Sequence, residues 1–204
     1  MKTNSLMLYL LIGMNIVLLG ALLFMGIRQS KSTNSGAMYS EQSLAGLNAY
    51  KFMLAQYQLA CEGEQLLPGT CLVNEHKDSI KIESLISKPT LVMRYSELNC
   101  NSCVDAMLTE LKNNPFFNEK NSLLLAWYNE PAYLYQFKRM NRIEMPVYNI
   151  KNTGLLADTL NMPYFFIIDK DLRVSKVLIP EEGDTTMVPA YLKITEHHFS
   201  KTAS

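Results

Sequence analysis

Residues 88–111 read KPTLVMRYSELNCNSCVDAMLTEL, and this stretch decides the fold. Its apolar run at 91–95 follows a Lys-Pro pair and predicts a largely buried strand. After it, Val104, Met107, Leu108 and Leu111 recur at the i, i+3, i+4, i+7 spacing of an amphipathic helix. A Cys-x-x-Cys pair therefore lies where a buried strand gives way to a helix.

Segments of the same two kinds alternate along the rest of the chain. We predict strands at 71–73, 80–82, 123–127, 147–150 and 164–168, and a hairpin partner for the last of them at 172–178. Helices are predicted at 130–141 and, after Pro189, to about Phe199. This order predicts an α/β fold with a mixed central sheet that is flanked by helices.

The first 28 residues predict a transmembrane anchor. No charged residue lies between Lys2 and Arg28, and residues 6–27 are almost wholly apolar. As a helix at about 1.5 Å per residue, this segment can cross the hydrocarbon core of a bilayer. A cleaved signal peptide is the alternative, but it usually has a shorter apolar core and an A-x-A-like cleavage site, which is missing here.

Residues 29–40 are rich in Ser and Asn and predict a flexible linker. Residues 41–67 predict a leading helix and loop before the domain at 68–204. Apolar residues recur at helical spacing on this otherwise polar segment: Leu44, Leu47, Tyr50, Leu54 and Tyr57. We expect this stripe to face the core, with a self-associating stalk as the alternative.

The charge balance excludes one class of partner. The chain has 204 residues, with 19 basic and 19 acidic side chains, so its formal net charge is zero. No basic patch or charged tail suggests a nucleic acid or another strongly charged ligand.

The Cys-x-x-Cys pair, Cys100 and Cys103, has the arrangement needed for thiol–disulfide exchange. Only a thiolate attacks a disulfide. Unpaired N–H groups and the macrodipole at a helix N-terminus favour the thiolate of the first cysteine. The second cysteine lies one turn further along the helix and can close on the mixed disulfide. We therefore predict Cys100 as the attacking thiol and Cys103 as the resolving thiol, with no metal or organic cofactor.

Two alternatives for this pair remain open. It could be half of a zinc site, which would need two more ligands, or an inert structural disulfide. The other two cysteines, Cys61 and Cys71, flank a loop that contains Pro68-Gly69. We predict a structural disulfide between them, worth about 2–3 kcal/mol in a chain-entropy model, with electron relay to the first pair as the alternative.

With these residues placed, the chain resembles the thioredoxin superfamily, and most closely the membrane-anchored extracytoplasmic thioredoxins of the TlpA and ResA type. The resemblance covers about 68–199 and rests on KPTLV at 88–92, the two cysteines, and MPYFFIID at 162–169. It implies that Pro163 is a cis-proline packed against the cysteines. It also implies that the backbone of Met162 pairs with a bound polypeptide.

Two departures from the family pattern matter for the site. Asn99 stands where thioredoxins usually carry Trp, and Arg94 stands where they often hold a buried acid. A buried arginine must be paired, and Glu97 is the nearest candidate in the sequence. One hypothesis is that Arg94 stabilises the thiolate electrostatically, and the alternative is that its side chain reaches the surface.

Together these features predict a membrane-tethered thiol–disulfide oxidoreductase that acts on polypeptide or small-molecule disulfides and is reset by a redox partner protein. A persistent Cys61–Cys71 bridge would place the domain on the oxidising, periplasmic side of a bacterial inner membrane. The alternative is a thioredoxin-fold binding or assembly module with little turnover, and copper handling by the two thiols is a third interpretation. Reduction, oxidation and isomerisation are all compatible with the sequence.

Overall fold

A computed structural model describes the backbone of residues 3–202, and the side chains of these residues except 3–12, 23, 26–42 and 202. The chain divides into two compact units, Met1–Lys51 and Phe52–Ser204. Helix α1 runs from Thr3 to Cys61. Every other element lies in the second unit.

Helix α1 differs from the prediction over 29–40, where the sequence favours a linker and the structure is helical. The segment contains no proline. Its Ser, Asn and Thr residues each disfavour a helix by less than about 1 kcal/mol, so none of them blocks helical backbone. The apolar stripe is buried at Leu54 but about half exposed at Leu44 and Leu47 (58% and 47%), so the core-facing prediction is wrong for the last two.

A search of the residues that the structure describes finds no helix with the length and apolar character needed to cross a bilayer. Residues 1–12, 23 and 26–28 of the predicted anchor lie outside the described side chains. The anchor at 1–28 stays a prediction.

The second unit is built on one mixed seven-stranded sheet. The strands are β1 (Cys71–Val73), β2 (Ser79–Lys81), β3 (Thr90–Ser96), β4 (Ser122–Trp127), β5 (Val147–Asn149), β6 (Tyr164–Ile168) and β7 (Val174–Leu178), in the order β2-β1-β5-β4-β3-β6-β7. Strands β3, β4 and β5 are parallel, and the pairs β3–β6 and β6–β7 are antiparallel. This confirms the predicted mixed sheet.

Three helices pack with the sheet: α2 (Asn101–Asn113), α3 (Pro131–Met140) and α4 (Met187–Thr202). The buried face of α2 consists of the four apolar residues that the spacing predicts. Helix α4 begins two residues before Pro189, because the Asp184 carboxylate accepts the backbone N–H of Thr186 and of Met187. Pro189 then lies in the first turn, where its missing N–H costs nothing.

The outer strand β7 is covered by the chain that leaves α1. The side chains of Gln58 and Glu62 accept the backbone N–H groups of Ile179 and Val177. Beyond Gly63, whose φ of 79° turns the chain out of the helix, residues 63–66 bond to the backbone of residues 172–174. These contacts satisfy polar groups that an open sheet edge would leave unpaired.

Candidate active site

Cys100 is the N-cap residue of α2. Its backbone is not helical (φ −56°, ψ 117°), while its carbonyl accepts the first helical hydrogen bond from Val104 N–H at 3.1 Å. The Cys100 side chain is exposed. The structure thus puts this cysteine at the junction between β3 and α2, as the sequence predicts.

The surroundings of Cys100 favour its thiolate. Hydrogen bonds from the Cys103 side chain, the Ser102 hydroxyl and the Cys103 backbone lower the pKa of Cys100 below its ordinary value. The Ser102 oxygen lies 3.0 Å from Cys100 Sγ. Because all three donors belong to the first turn of α2, two residues of the motif, Ser102 and Cys103, create this environment.

Cys103 is half-buried, and its pKa shifts in the opposite direction. Burial first, and then the hydrogen bond to Cys100 and its charge, raise the pKa of Cys103 to about 11. One thiol is therefore exposed with a lowered pKa, while its neighbour, with a raised pKa, stays protonated at neutral pH. This difference favours Cys100 as the first thiol to attack a disulfide.

Asn99 joins the motif to the loop before Pro163. Its side-chain amide donates to the carbonyl of Asn161 at 2.7 Å, and its side-chain oxygen accepts the N–H of Ser96 at 2.7 Å. Asn99 is buried. Asn99 therefore ties the residue before Cys100 to the loop that leads into Met162 and Pro163.

The prediction of a cis bond before Pro163 is wrong, because no cis peptide bond occurs in the described part of the chain. The turn at this point is made one residue earlier, by Asn161 in the left-handed region (φ 52°, ψ 40°). Asparagine tolerates that region better than most residues. A trans Pro163 can then lead straight into β6, where proline is acceptable as the residue before a strand.

Arg94 is buried beneath the motif, so the alternative that its side chain reaches the surface is wrong. Its Nε donates to Asp158 at 3.0 Å, and the two side chains are 5% and 10% exposed. Its terminal nitrogens donate to the carbonyls of Tyr95, Leu125 and Lys151.

The partner predicted for Arg94, Glu97, instead accepts the backbone N–H of Asn129. The prediction is wrong because the side chain of Arg94 points into the fold and meets Asp158, which lies 64 positions further along the chain. Asp158 lies in the short 3-10 helix Leu156–Leu160, which the sequence pattern does not predict.

The Asp158 carboxylate is fully engaged. One oxygen accepts from Arg94 and from the hydroxyl of Tyr164 (2.9 Å), and the other accepts from the backbone and hydroxyl of Thr153 (2.7 and 2.9 Å). A buried ion pair is acceptable when its remaining hydrogen-bonding groups are satisfied in this way.

A pocket of about 130 Å³ opens between the residues that precede the motif and the Asn161 loop. Its lining includes Leu98, Asn99, Trp127, Lys151 and Met162. Leu98, two residues before Cys100, is 71% exposed.

The predicted disulfide between Cys61 and Cys71 is not formed, since all four cysteines are free thiols. Cys61 is fully buried and bonds to the backbone at Ala157, whereas Cys71 is exposed and bonds to the Gly69 carbonyl. The chain after Cys61 runs beside β7, at one end of the sheet, and Cys71 begins β1 near the other end. The turn in Pro68-Gly69 does not fold the two segments together.

Glu182, in the loop between β7 and α4, comes close to both cysteines of the motif. A carboxylate oxygen and the two sulfur atoms all lie within 4.8 Å of one another. No other His, Cys, Asp or Glu among the described residues joins this cluster. The set falls short of the four ligands of a structural zinc site, and we assign no metal to it.

Asp158 and Glu182 are the two residues that sequence reasoning missed. Both lie more than 50 positions after the motif, with other strands and helices between, and neither belongs to a recognisable sequence pattern. The role of Asn99 is also new, although its departure from tryptophan is visible in the sequence.

Comparisons with known proteins bear on the fold. No protein-family model matches the sequence, and no curated protein sequence matches it. Among solved structures, a Chlorobium tepidum protein assigned as thiol:disulfide interchange protein DsbE matches with a TM-score of 0.50 and 12% identity, over 66% of this chain and 97% of that one. The peroxidoxin BcpB from Mycobacterium tuberculosis matches with a TM-score of 0.50 and 14% identity, over 69% and 96% of the two chains. The sheet order, the Cys-x-x-Cys helix and these similarities show that the chain has the fold of the thioredoxin superfamily.

Proposed function

We propose that this protein is a membrane-tethered thiol–disulfide oxidoreductase with its chemistry at Cys100 and Cys103. The observation that carries the proposal is the contrast between the two thiols, one exposed with a lowered pKa and one half-buried with a raised pKa. Attack by the Cys100 thiolate on a substrate disulfide gives a mixed disulfide. Cys103 then attacks Cys100 Sγ, which oxidises the pair and releases the substrate as two thiols.

The surface around Cys100 suits a polypeptide or small-molecule disulfide. Leu98 is exposed, and it lines a pocket together with the half-buried Met162 and with Asn99, the residue before Cys100. Apolar side chains around a nucleophile can bind an extended peptide without charge selection. A redox partner protein with a similar apolar surface would return the two cysteines to their starting redox state.

Two features support the tether. Residues 6–27 are almost free of polar side chains, and the described residues in this stretch expose large apolar side chains, with Phe24 at 68% and Val17 at 72%. A helix that is apolar on all sides suits a bilayer. We place the domain on the extracytoplasmic side of a bacterial membrane, where disulfide exchange has substrates.

Insulin reduction by the full chain in detergent micelles, with dithiothreitol as electron source, tests this function. Wild type should accelerate insulin precipitation, and Cys100→Ser should fall to the uncatalysed rate, a loss of at least about 10³-fold, since no other thiol replaces the nucleophile. Cys103→Ser should accumulate a mixed disulfide that mass spectrometry detects. Cys71→Ser, an exposed thiol away from the motif, is the matched control and should keep full activity.

If wild type binds reduced and oxidised polypeptides but shows no turnover in either direction, the oxidoreductase proposal fails. That result would favour the alternative of a thioredoxin-fold binding or assembly module at the membrane.

A further inference from the structure

Cys103 cannot resolve a mixed disulfide until its thiol loses a proton, because the thiol itself is a poor nucleophile. At neutral pH this loss is unfavourable, since burial, the largest cause of the raised pKa of Cys103, persists in the mixed disulfide. When Cys100 is tied up in a mixed disulfide, its thiolate is no longer there to share the proton. The site therefore needs a separate proton acceptor.

The strand beneath the motif does not supply that acceptor. Arg94 is a permanent cation with no lone pair to offer. The Asp158 carboxylate beside it already accepts hydrogen bonds from Arg94, Tyr164 and Thr153. A proton on Asp158 would break a buried ion pair, which is costly.

Glu182 can serve as this proton acceptor. It is exposed, and its carboxylate and the sulfur atoms of Cys100 and Cys103 lie within 4.8 Å of one another. A base at this distance reaches the proton through one water molecule or a small torsion of its own side chain. Because it is exposed, this carboxylate can also exchange a proton directly with solvent.

We propose that Glu182 is the general base that takes the proton from Cys103 during the resolving step, an inference that rests on the proposed exchange activity. In this step the S–H bond of Cys103 breaks and its proton moves to the Glu182 carboxylate. The Cys103 thiolate attacks Cys100 Sγ, the Cys100–Cys103 bond forms, and the bond to the substrate sulfur breaks. Glu182 or water then protonates the departing thiolate, so that two electrons have passed from the protein to the substrate.

The charge of Glu182 alone would have the opposite effect on the rate. A carboxylate near Cys103 raises the pKa of that thiol. If Glu182 acted only through its charge, its removal would make the Cys103 thiolate more available and would speed the resolving step. A general base predicts that removal slows this step, so the sign of the change separates the two roles.

The experiment follows the reaction of the reduced full chain, in detergent micelles, with dithiobis(nitrobenzoate) in stopped flow. This disulfide releases one coloured thiolate when Cys100 attacks and a second when Cys103 resolves, and neither release needs a proton. All proteins carry Cys71→Ser, because Cys71 is exposed and would react as well, whereas Cys61 is buried.

Glu182→Gln should slow the second release at least about tenfold and leave the first release unchanged, since a general base usually contributes more than this. Glu182→Asp, which keeps the carboxylate on a shorter side chain, should recover part of the rate. The control Glu181→Gln removes the same charge one residue away and should leave both releases unchanged.

A second release in Glu182→Gln that is as fast as in the parent protein, or faster, overturns the role of Glu182 while the exchange activity stands. An equal slowing of the second release in Glu181→Gln overturns it as well. Absence of a distinct fast first release in the parent protein would instead contradict the proposed function itself.

Discussion

The exposed motif at the start of α2 and the buried ion pair beneath it handle charge in opposite ways. At Cys100, an anion is favoured on the surface by donors that lie within three positions along the chain. At Arg94 and Asp158, two opposite charges are buried against each other, and 64 positions separate them in the sequence. The Cys100 thiol can gain or lose a proton at little cost to the stability of the fold. The Arg94–Asp158 pair cannot lose either partner without leaving a buried charge unpaired. Reactivity and stability are thus assigned to different residues that are only a few positions apart.

Breaking the buried pair should give the largest effect on stability. Arg94→Met leaves the Asp158 carboxylate buried without its cation, and we expect a loss of about 3–5 kcal/mol in the free energy of unfolding. Urea unfolding of the full chain, followed by the fluorescence of its single tryptophan, Trp127, measures the loss. Lys138→Met, which removes the cation of a partly exposed pair with Glu75 (3.6 Å), is the control and should cost less than about 1 kcal/mol.

The same variant tests whether the two regions are independent. We expect Arg94→Met, where folded, to leave the pH profile of Cys100 alkylation in place, because the groups that shift this thiol belong to the motif. A profile displaced toward higher pH would mean that Arg94 does stabilise the thiolate and that the buried pair and the motif are electrostatically coupled.

Asn99 connects the two regions, and its loss should have an intermediate effect. Asn99→Ala leaves the Ser96 N–H and the Asn161 carbonyl without their bonds of 2.7 Å, which should cost about 1–3 kcal/mol of stability. Because this amide bonds the residue before Cys100 to the residue before Met162, insulin reduction should also fall, while alkylation of Cys100 by a small reagent should not.

The matched control for Asn99→Ala is Asn101→Ala, at an exposed position in the same motif. It should leave both stability and insulin reduction unchanged. Equal losses in the two variants would show that the effect belongs to the motif in general and not to the connection between the loops.

Local pattern was enough to predict most of the fold. The strand predicted at 91–95 is observed as Thr90–Ser96, and the buried face of α2 is the predicted one. Both follow from the spacing of apolar residues that are close together in the sequence. The position of Cys100 at the start of a helix follows from the same signal. Outside α1, whose predicted linker at 29–40 is helical, errors at helix ends stay within two or three residues, as at α4, where an aspartate cap precedes the proline.

Three of the failures share a physical cause, which is that they depend on chain segments far apart in the fold or in the sequence. Arg94 had to be paired, but no local pattern favours Asp158 over the nearby Glu97 as its partner. Cys61 and Cys71 are close along the chain, yet the strand order puts their surroundings at different ends of the sheet. Glu182 reaches the cysteines only because β7 and α4 return the chain to α2, a three-dimensional contact with no local pattern.

The smallest effect is expected within the motif itself, at Ser102. Its hydroxyl is the second contributor to the lowered pKa of Cys100, after the Cys103 side chain. Ser102→Ala should therefore raise that pKa, so that the alkylation rate of Cys100 falls at neutral pH and its profile moves to higher pH. Cys103→Ala should move the profile further in the same direction. Mass spectrometry of iodoacetamide-treated protein across a pH series measures both shifts.

A larger shift for Ser102→Ala than for Cys103→Ala would reverse the order of the two donors. A loss of stability in Ser102→Ala would contradict the view that charge at this surface position is controlled apart from the fold.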